Sequence, residues 1–286
     1  MAYRSKKTQE AFLSLKNGDM ILVFDTETTG LNATKNHIIE FAAQLCEFQD
    51  GQVYTKGGIN VYIKPEYPLP EKIVELTGIT DSFLSDKGSE KDIVPMIYNF
   101  FKQATYLSAY NIRFDIGFVK AMFERHGYDA SILNVPYLDV LEAARDFAPS
   151  DIENKKLGTI ASLYGVDNDI SFHCAEDDVE ATVRLFNCFL IEYENKAKEE
   201  AEALKEKSRK KIPKIYSIRY WKGFRGKSRL YINASTGTFF FDIFNGTWGI
   251  KEEKDTTDME ALVTLSLAHA GCSDIASFKR YKGDPD

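Results

Sequence analysis

The sequence of 286 residues contains no long apolar run and no apolar core near its N-terminus. No stretch reaches the roughly 18 apolar residues that a bilayer-spanning helix needs. The first 20 residues also lack the apolar centre of a secretory signal. We therefore expect no membrane contact and a cytoplasmic location.

Closely spaced cysteines are also absent. The four cysteines are Cys46, Cys174, Cys188 and Cys272, and no two of them form a CxxC pair. Zinc-ribbon sites and disulfide frameworks both depend on closer, repeated spacings, so neither is supported. We expect Cys174 and Cys188 to lie on one helix as ordinary small residues.

An excess of positive charge is missing as well, because the formal net charge is −7. This sum argues against a surface that binds nucleic acid all over. The charges are nevertheless uneven, since the segment from Lys205 to Arg229 holds eleven Lys and Arg against one acid, Glu206. Such a segment is typical of either contact with a polyanion or a solvated linker.

Three strands are predicted near the start of the chain, over residues 20–25, 37–48 and 53–64, from apolar runs and loose alternation. Helical patterns follow, interrupted by a short strand-like segment at residues 106–110, and a long helix is predicted to begin near Cys174. Consecutive strands followed by alternating helices and strands indicate an α/β domain over residues 1–192, with a mixed sheet flanked by helices.

The last third of the sequence changes character twice. Residues 193–212 are rich in charged helix formers with hardly an apolar stripe, which predicts a charged helical linker. Residues 213–286 hold the β-prone runs "IYSIRYW", "RLYIN" and "TFFFDIF" followed by an amphipathic helix, which predicts a small α+β domain.

Cations and aromatic side chains alternate in that last domain, a composition suited to nucleic acid. The candidate contacts are Arg219, Trp221, Arg225, Lys227 and Arg229. Two alternatives remain, a protein-docking module and a structural cap. They remain because Tyr216, Ile218 and Tyr220 alternate like a core-facing strand, and because "TFFFDIF" suits a core entirely.

Four acids and a histidine stand at the ends of predicted elements. Asp25 and Glu27 share one face of a strand, because side chains alternate along it, and together they can bind a hard divalent cation. Asp115 is placed at the opening of a helix, and Asp178 lies one turn into another, just after His173. Each acid alone has an ordinary explanation as a turn or capping residue. Their combination predicts one crevice at the strand ends.

The motifs around these residues identify a family resemblance. "FDTETTG", "NIRFD" and "HCAEDDVEAT" are similar to the three motifs of DnaQ-like 3′→5′ exonucleases of the DEDDh type, and "LTGIT" resembles a flanking segment. The resemblance covers roughly residues 18–192 and implies a ribonuclease H-like fold. It also implies hydrolysis of DNA from the 3′ end with release of nucleoside 5′-monophosphates.

By this resemblance, two Mg²⁺ or Mn²⁺ ions would be held by the four acids. Asp25 would bridge both ions, Glu27 and Asp178 would hold the ion beside the nucleophile, and Asp115 would support the second. His173 would accept the proton of the attacking water.

The resemblance also implies substrate contacts and partners. Thr28 would hold the terminal nucleotide, Leu31 would wedge beside its base, and Ile79 and Asn111 would add contacts. The expected partners are nucleic acid with a free 3′ end, foremost single-stranded DNA, and a polymerase or another replication or repair protein. Two alternatives remain: a 3′→5′ exoribonuclease or oligonucleotide-degrading enzyme, and an inactive protein that binds nucleic-acid ends.

Overall fold

The computed structural model of the chain describes residues 2–208, 211–224 and 227–283. The chain divides into two compact units, Met1–Ala197 and Lys198–Asp286. The predicted domain limits after residues 192 and 212 stay predictions. Within the described ranges, no helix is both long and apolar enough to cross a bilayer.

The first unit is built on a five-stranded mixed sheet with the order β3-β2-β1-β4-β5. Its strands are β1 (Met20–Thr28), β2 (Ile38–Gln49), β3 (Gln52–Tyr62), β4 (Tyr106–Ala109) and β5 (Tyr137–Asp139). The first three pair antiparallel, whereas β4 is parallel to β1 and β5 is parallel to β4. The predicted α/β class with a mixed sheet is confirmed.

Helices cover both faces of this sheet. They are α1 (Ala2–Leu13), α2 (Glu71–Thr77), α3 (Asp81–Leu84), α4 (Glu90–Phe101), α5 (Ile112–Arg125), α6 (Val140–Phe147), α7 (Leu157–Tyr164) and α8 (Ala175–Ser208). Alternation along β1 sends Ile21 and Val23 to the core beside α6–α8, and sends Leu22 and Phe24 to the core beside α4 and α5.

Helix α5 begins earlier than predicted. Its first residue is Ile112, and Asn111 at the N-cap has a positive φ of 69°. Asn is among the residues that tolerate this left-handed conformation, which turns the chain sharply from β4 into the helix. Asp115 therefore lies within the first turn of α5 rather than at its opening.

Besides the end of α8, the described residues of the second unit form a four-stranded antiparallel sheet in the order β6-β7-β8-β9 and two further helices. These elements are β6 (Ile215–Lys222), β7 (Ser228–Ala234), β8 (Gly237–Asp242), β9 (Thr247–Glu253), α9 (Met259–His269) and α10 (Ile275–Phe278). The core of this unit joins Ile218, Leu230, Ile232, Phe239 and Phe241 of the sheet to Leu262 and Phe278 of the helices. The predicted α+β character of this region is confirmed.

Two details of this unit differ from the prediction. Tyr216 is 60% exposed rather than core-facing, because the β6–β7 register shifts between Ile215 and Ser217. "TFFFDIF" is not core throughout, since Phe240 points to the face opposite Phe239 and Phe241 and is only partly buried.

All four cysteines are free thiols. Cys188 lies in α8, as predicted, but Cys174 precedes the first residue of that helix. Its Sγ lies 3.9 Å from Oε1 of Glu40.

Candidate active site

The candidate site begins at the end of β1. Asp25 and Glu27 continue the alternation of Ile21 and Val23, so both carboxylates lie on the face of the sheet that packs against α8. The register of β1 and β2 shifts directly after Glu27. Such an irregularity re-aims side chains at a strand end.

Asp115 reaches the site from α5 and is held by β1. The backbone N–H and the hydroxyl of Thr26 both donate to Oδ1 of Asp115, at 3.1 and 2.7 Å. Asp115 is only 3% exposed. Two bonds to one oxygen fix this carboxylate against the strand that carries the first two acids.

Asp178 and His173 come from the start of α8. His173 has a positive φ of 71°, and its backbone N–H donates to Oδ2 of Asp178 at 3.4 Å. One ligand atom from each of Glu27, His173 and Asp178 lies within 4.8 Å of the others. The imidazole is exposed, so it faces solvent beside the carboxylates.

The carboxylates shift one another's protonation. Burial, followed by repulsion from Asp115 and Asp178, raises the pKa of Asp25 well above its usual range. Burial and the charge of Asp178 raise the pKa of Glu27 to about 8. Burial raises the pKa of Asp115 and of Asp178 to about 7. Carboxylates this close repel unless protons or cations intervene.

A fifth carboxylate, Glu40, belongs to the same cluster and was missed by the sequence analysis. It lies opposite Glu27 in the β1–β2 register and is 1% exposed. Its Oε2 accepts the backbone N–H of Ala175 at 3.3 Å. The available signal was an acid inside the apolar run "IIEFAA", since a buried acid needs a partner.

The predicted substrate contacts differ in their exposure and in their hydrogen bonds. Leu31 is 88% exposed and Asn111 is exposed, so both side chains are accessible to a ligand. The hydroxyl of Thr28 donates to the carbonyl of Gly30 at 2.7 Å. Ile79 is 6% exposed and packs in a small core with Ile39, Leu69 and Leu84, so its side chain serves packing.

The candidate contacts in the second unit lie on one sheet face or in a loop. Arg219 and Trp221 of β6 face Tyr231 and Arg229 of β7, respectively. Lys227 is exposed just before β7. Arg225 lies outside the described residues.

Chemically, the cluster suits hard divalent cations. Its donors are carboxylate oxygens, the ligands that Mg²⁺ and Mn²⁺ prefer. Oδ1 of Asp178 is buried and has no hydrogen-bond partner among the described residues. A buried acceptor without a donor, in a group of mutually repelling acids, fits coordination to a cation.

Comparisons with known proteins agree with this geometry. The family model of the RNase T exonucleases matches residues 22–186, more than half of the chain. PolC-type DNA polymerase III of Streptococcus thermophilus is 37% identical over 180 residues, which are 62% of this chain and 12% of that protein. The corresponding protein of Streptococcus pneumoniae is 36% identical over 175 residues. The chain thus spans about an eighth of the length of these relatives.

Solved structures show the same fold. E. coli exonuclease I in complex with a dT13 oligonucleotide superposes with a TM-score of 0.54 at 20% identity, covering 79% of this chain and 55% of that one. The zinc-bound form of its complex with single-stranded DNA superposes with a TM-score of 0.53 at 21% identity, with the same coverage of both chains. At this identity the likeness establishes the fold alone. The family model confirms the resemblance seen in the motifs and the solved structures confirm the ribonuclease H-like fold, so the chain belongs to the RNase T family of DnaQ-like 3′→5′ exonucleases.

Proposed function

We propose that the chain hydrolyses DNA from the 3′ end, releasing nucleoside 5′-monophosphates, with two divalent cations and His173 as general base. The observation that carries the proposal is the convergence of Asp25, Glu27, Asp115 and Asp178 at one strand end, with the imidazole beside them. DNA is favoured because the relatives are named DNA polymerases and the structural neighbours were solved with DNA oligonucleotides.

Family membership implies dependence on divalent metal ions. We propose that two Mg²⁺ or Mn²⁺ ions would be held by these acids, Asp25 contributing to both, Glu27 and Asp178 to one and Asp115 to the other. Bound cations would activate the attacking water and stabilise charge on the leaving oxygen. Glu40 is a less suitable ligand, because its oxygens already accept from Cys174 and Ala175 at the start of α8.

The protein's own groups carry the proton and position the strand. Water attacks the terminal phosphorus, and its proton passes to a ring nitrogen of His173, a role worth typically ~10²–10⁴-fold in rate. The bond to the 3′ oxygen of the penultimate nucleotide breaks, and that oxygen takes up a proton from solvent and becomes the new 3′ hydroxyl. Histidine is the side chain that most often serves as a general base in enzymes.

The strand end would lie against the segment that follows Glu27. Leu31 presents an almost fully exposed apolar side chain that can pack beside the terminal base. Asn111 is exposed at the start of the helix that carries Asp115. The PolC-type relatives support a DNA polymerase as the protein partner beside which such trimming would occur.

The deciding experiment uses DNA and RNA strands labelled at either end, with Mg²⁺ or Mn²⁺. We expect stepwise shortening of DNA from the 3′ end, stopped by EDTA and by Asp25→Ala. His173→Ala is expected to lower turnover strongly while metal affinity, measured by calorimetry, stays near the wild-type value. Faster digestion of RNA would overturn the substrate assignment, and an inert protein would overturn the proposal as a whole.

A further inference from the structure

One face of the second unit's sheet packs on α9 and α10, and the opposite face combines aromatic rings with cations. The strand register places these side chains in two adjacent rows across the four strands, Arg219–Tyr231–Phe240–Gly249 and Trp221–Arg229–Asp242–Thr247. We call the set formed by Arg219, Trp221, Arg229, Tyr231, Phe240 and Lys251 the aromatic–cationic face.

Glycines let the rings of this face lie flat on the sheet. A Cβ on Gly249 would lie only 2.2 Å from the ring of Phe240, and one on Gly223 would lie 2.3 Å from the ring of Trp221. The indole of Trp221 is nevertheless 47% exposed. Tyr231 and Phe240 neighbour each other with ring centroids 6.2 Å apart. The face thus combines one exposed ring, that of Trp221, with the partly buried rings of Tyr231 and Phe240.

Cations lie directly over two of these rings. The guanidinium of Arg229 is 4.3 Å from the ring centre of Phe240, and the ammonium of Lys251 is 5.3 Å from that of Tyr231. Arg219 is exposed beside Tyr231.

Acids are also present on this side of the sheet. Asp242 accepts from Arg229 at 3.5 Å. Glu252 is opposite Thr238, at the corner diagonal to Trp221. Among the described residues, the part of the face around Trp221 and Arg219 therefore combines the positive charge of Arg219 with an exposed ring.

We propose that the aromatic–cationic face binds single-stranded nucleic acid without sequence preference. A base stacks on the exposed ring of Trp221, while Arg219 and Lys251 contact phosphates. A four-stranded sheet with aromatic side chains on its open face is a geometry that stacks successive bases, and flanking cations track the backbone.

This inference deepens the proposed function by adding a nucleic-acid contact in the second unit, and it rests on that function only for the choice of nucleic acid. The test uses the full chain in EDTA, so binding is measured whether or not the enzyme digests DNA. The probes are a labelled oligothymidine strand of about 16 nucleotides and an abasic strand of equal length, which keeps the phosphates and lacks the bases. Affinity is measured by fluorescence anisotropy over a range of salt concentrations.

Trp221→Leu is expected to weaken oligothymidine binding at least about fivefold and to leave abasic binding unchanged, because only stacking is removed. Arg219→Gln and Lys251→Gln are each expected to reduce the salt slope, by about 0.7, for both probes. Matched controls are Phe244→Leu, an 81% exposed aromatic in the β8–β9 turn, and Lys254→Gln. Both should bind like the wild type.

Circular dichroism and melting temperature verify that each variant folds. Equal affinity of the wild-type protein for both probes would overturn the stacking proposal. Wild-type binding by Trp221→Leu would do the same and would leave protein docking or a structural role for this face.

Discussion

Glu40 connects two parts of the site that come from distant segments of the chain. It lies opposite Glu27 on the neighbouring strand, and it accepts the N–H of Ala175 at the start of α8. The same helix start carries His173, whose left-handed backbone needs support from its surroundings. We infer that Glu40 positions the segment that presents His173 and Asp178.

The variants Glu40→Ala and Glu40→Gln distinguish the hydrogen-bonding role of Glu40 from the effect of its negative charge. Alanine removes the acceptor, so the helix start loosens and kcat is expected to fall about 10- to 100-fold with little change in KM. Glutamine keeps an acceptor oxygen and is expected to recover most of the rate. Steady-state kinetics measure both values. Equal loss in the two variants would show that the negative charge, not the hydrogen bond, is what matters.

Asp25→Asn is expected to stabilise the metal-free protein and to lower its activity. Replacing this ionisable group in a buried, repelling cluster should raise the melting temperature of the metal-free protein by several degrees, since burial and four neighbouring acids disfavour the ionised form of Asp25. The same change should lower turnover by at least about 10²-fold.

Calorimetry in EDTA and the end-labelled strand assay measure the two effects. The control is Asp86→Asn at a 76% exposed side chain, which should change neither. A metal-free Asp25→Asn protein less stable than the wild type would contradict the repulsion argument.

At the scale of elements, Glu90 ties three segments together. Glu90 is the first residue of α4, and its carboxylate accepts two hydrogen bonds from Arg125 of α5, at 3.1 and 2.5 Å. The same carboxylate contacts His126 at 3.0 Å. It also contacts His37, just before β2, at 3.3 Å. Burial alone would raise its pKa, but the bonds from Arg125 and His126 outweigh that effect and hold the pKa of Glu90 below its usual range. This contribution to stability is present above the unfolded pKa and is lost as pH falls.

Glu90→Gln is expected to destabilise the protein by about 2–4 kcal/mol near neutral pH, because it leaves a partly buried guanidinium without its counter-charge. Urea denaturation measures the loss, which should shrink toward pH 4. The matched control is Glu124→Gln, whose ion pair with Lys120 is solvent-exposed and worth at most about 0.5 kcal/mol. Similar losses in both variants would contradict a structural role for the Glu90 cluster.

Elements with strong local patterns could be predicted from the sequence, and those that depend on partners could not. β1, β2 and β3 are long enough for their apolar pattern to show, and α8 begins where predicted. β5 is only three residues long, too short for any periodicity, and exists because it pairs with β4. The start of α5 was misplaced, because a left-handed Asn111 leaves no distinct mark in the residue pattern.

In the site as well, residues in local motifs could be predicted from the sequence, and those that depend on strand pairing could not. The motif spacing identified the five predicted catalytic residues, and the structure brings them together at one strand end. Glu40 was missed, because only the pairing of β1 with β2 reveals that it faces Glu27. The aromatic–cationic face could be recognised only from the register of the four strands. That register places Tyr231 beside Phe240 and leaves Tyr216 at the register shift of β6, without a partner residue in β7.

For the whole molecule, stability should depend on pH and on metal together. The raised pKa values of Glu27, Asp115 and Asp178, about 8, 7 and 7, mean that the metal-free fold keeps protons that the unfolded chain releases near pH 4. Between pH about 4 and 8 the folded state therefore binds more protons than the unfolded state, and stability falls as pH rises.

Melting curves in EDTA should accordingly decline by several degrees from pH about 5 to pH about 8. Saturating Mn²⁺ should restore the loss at pH 8 and change little at pH 5, because cations bind the deprotonated acids. Identical pH profiles with and without Mn²⁺ would show that the acids do not bind the ion.

The two hydrogen bonds from Thr26 also bear on ion selectivity. They commit one oxygen of Asp115 to the neighbouring strand, so this carboxylate offers a cation one oxygen rather than a chelating pair. Mg²⁺ accepts single oxygens in a strict octahedron, whereas the larger Ca²⁺ gains from chelating carboxylates and more ligands. A threonine that lies outside the proposed coordination sphere thereby favours the smaller ion over the larger.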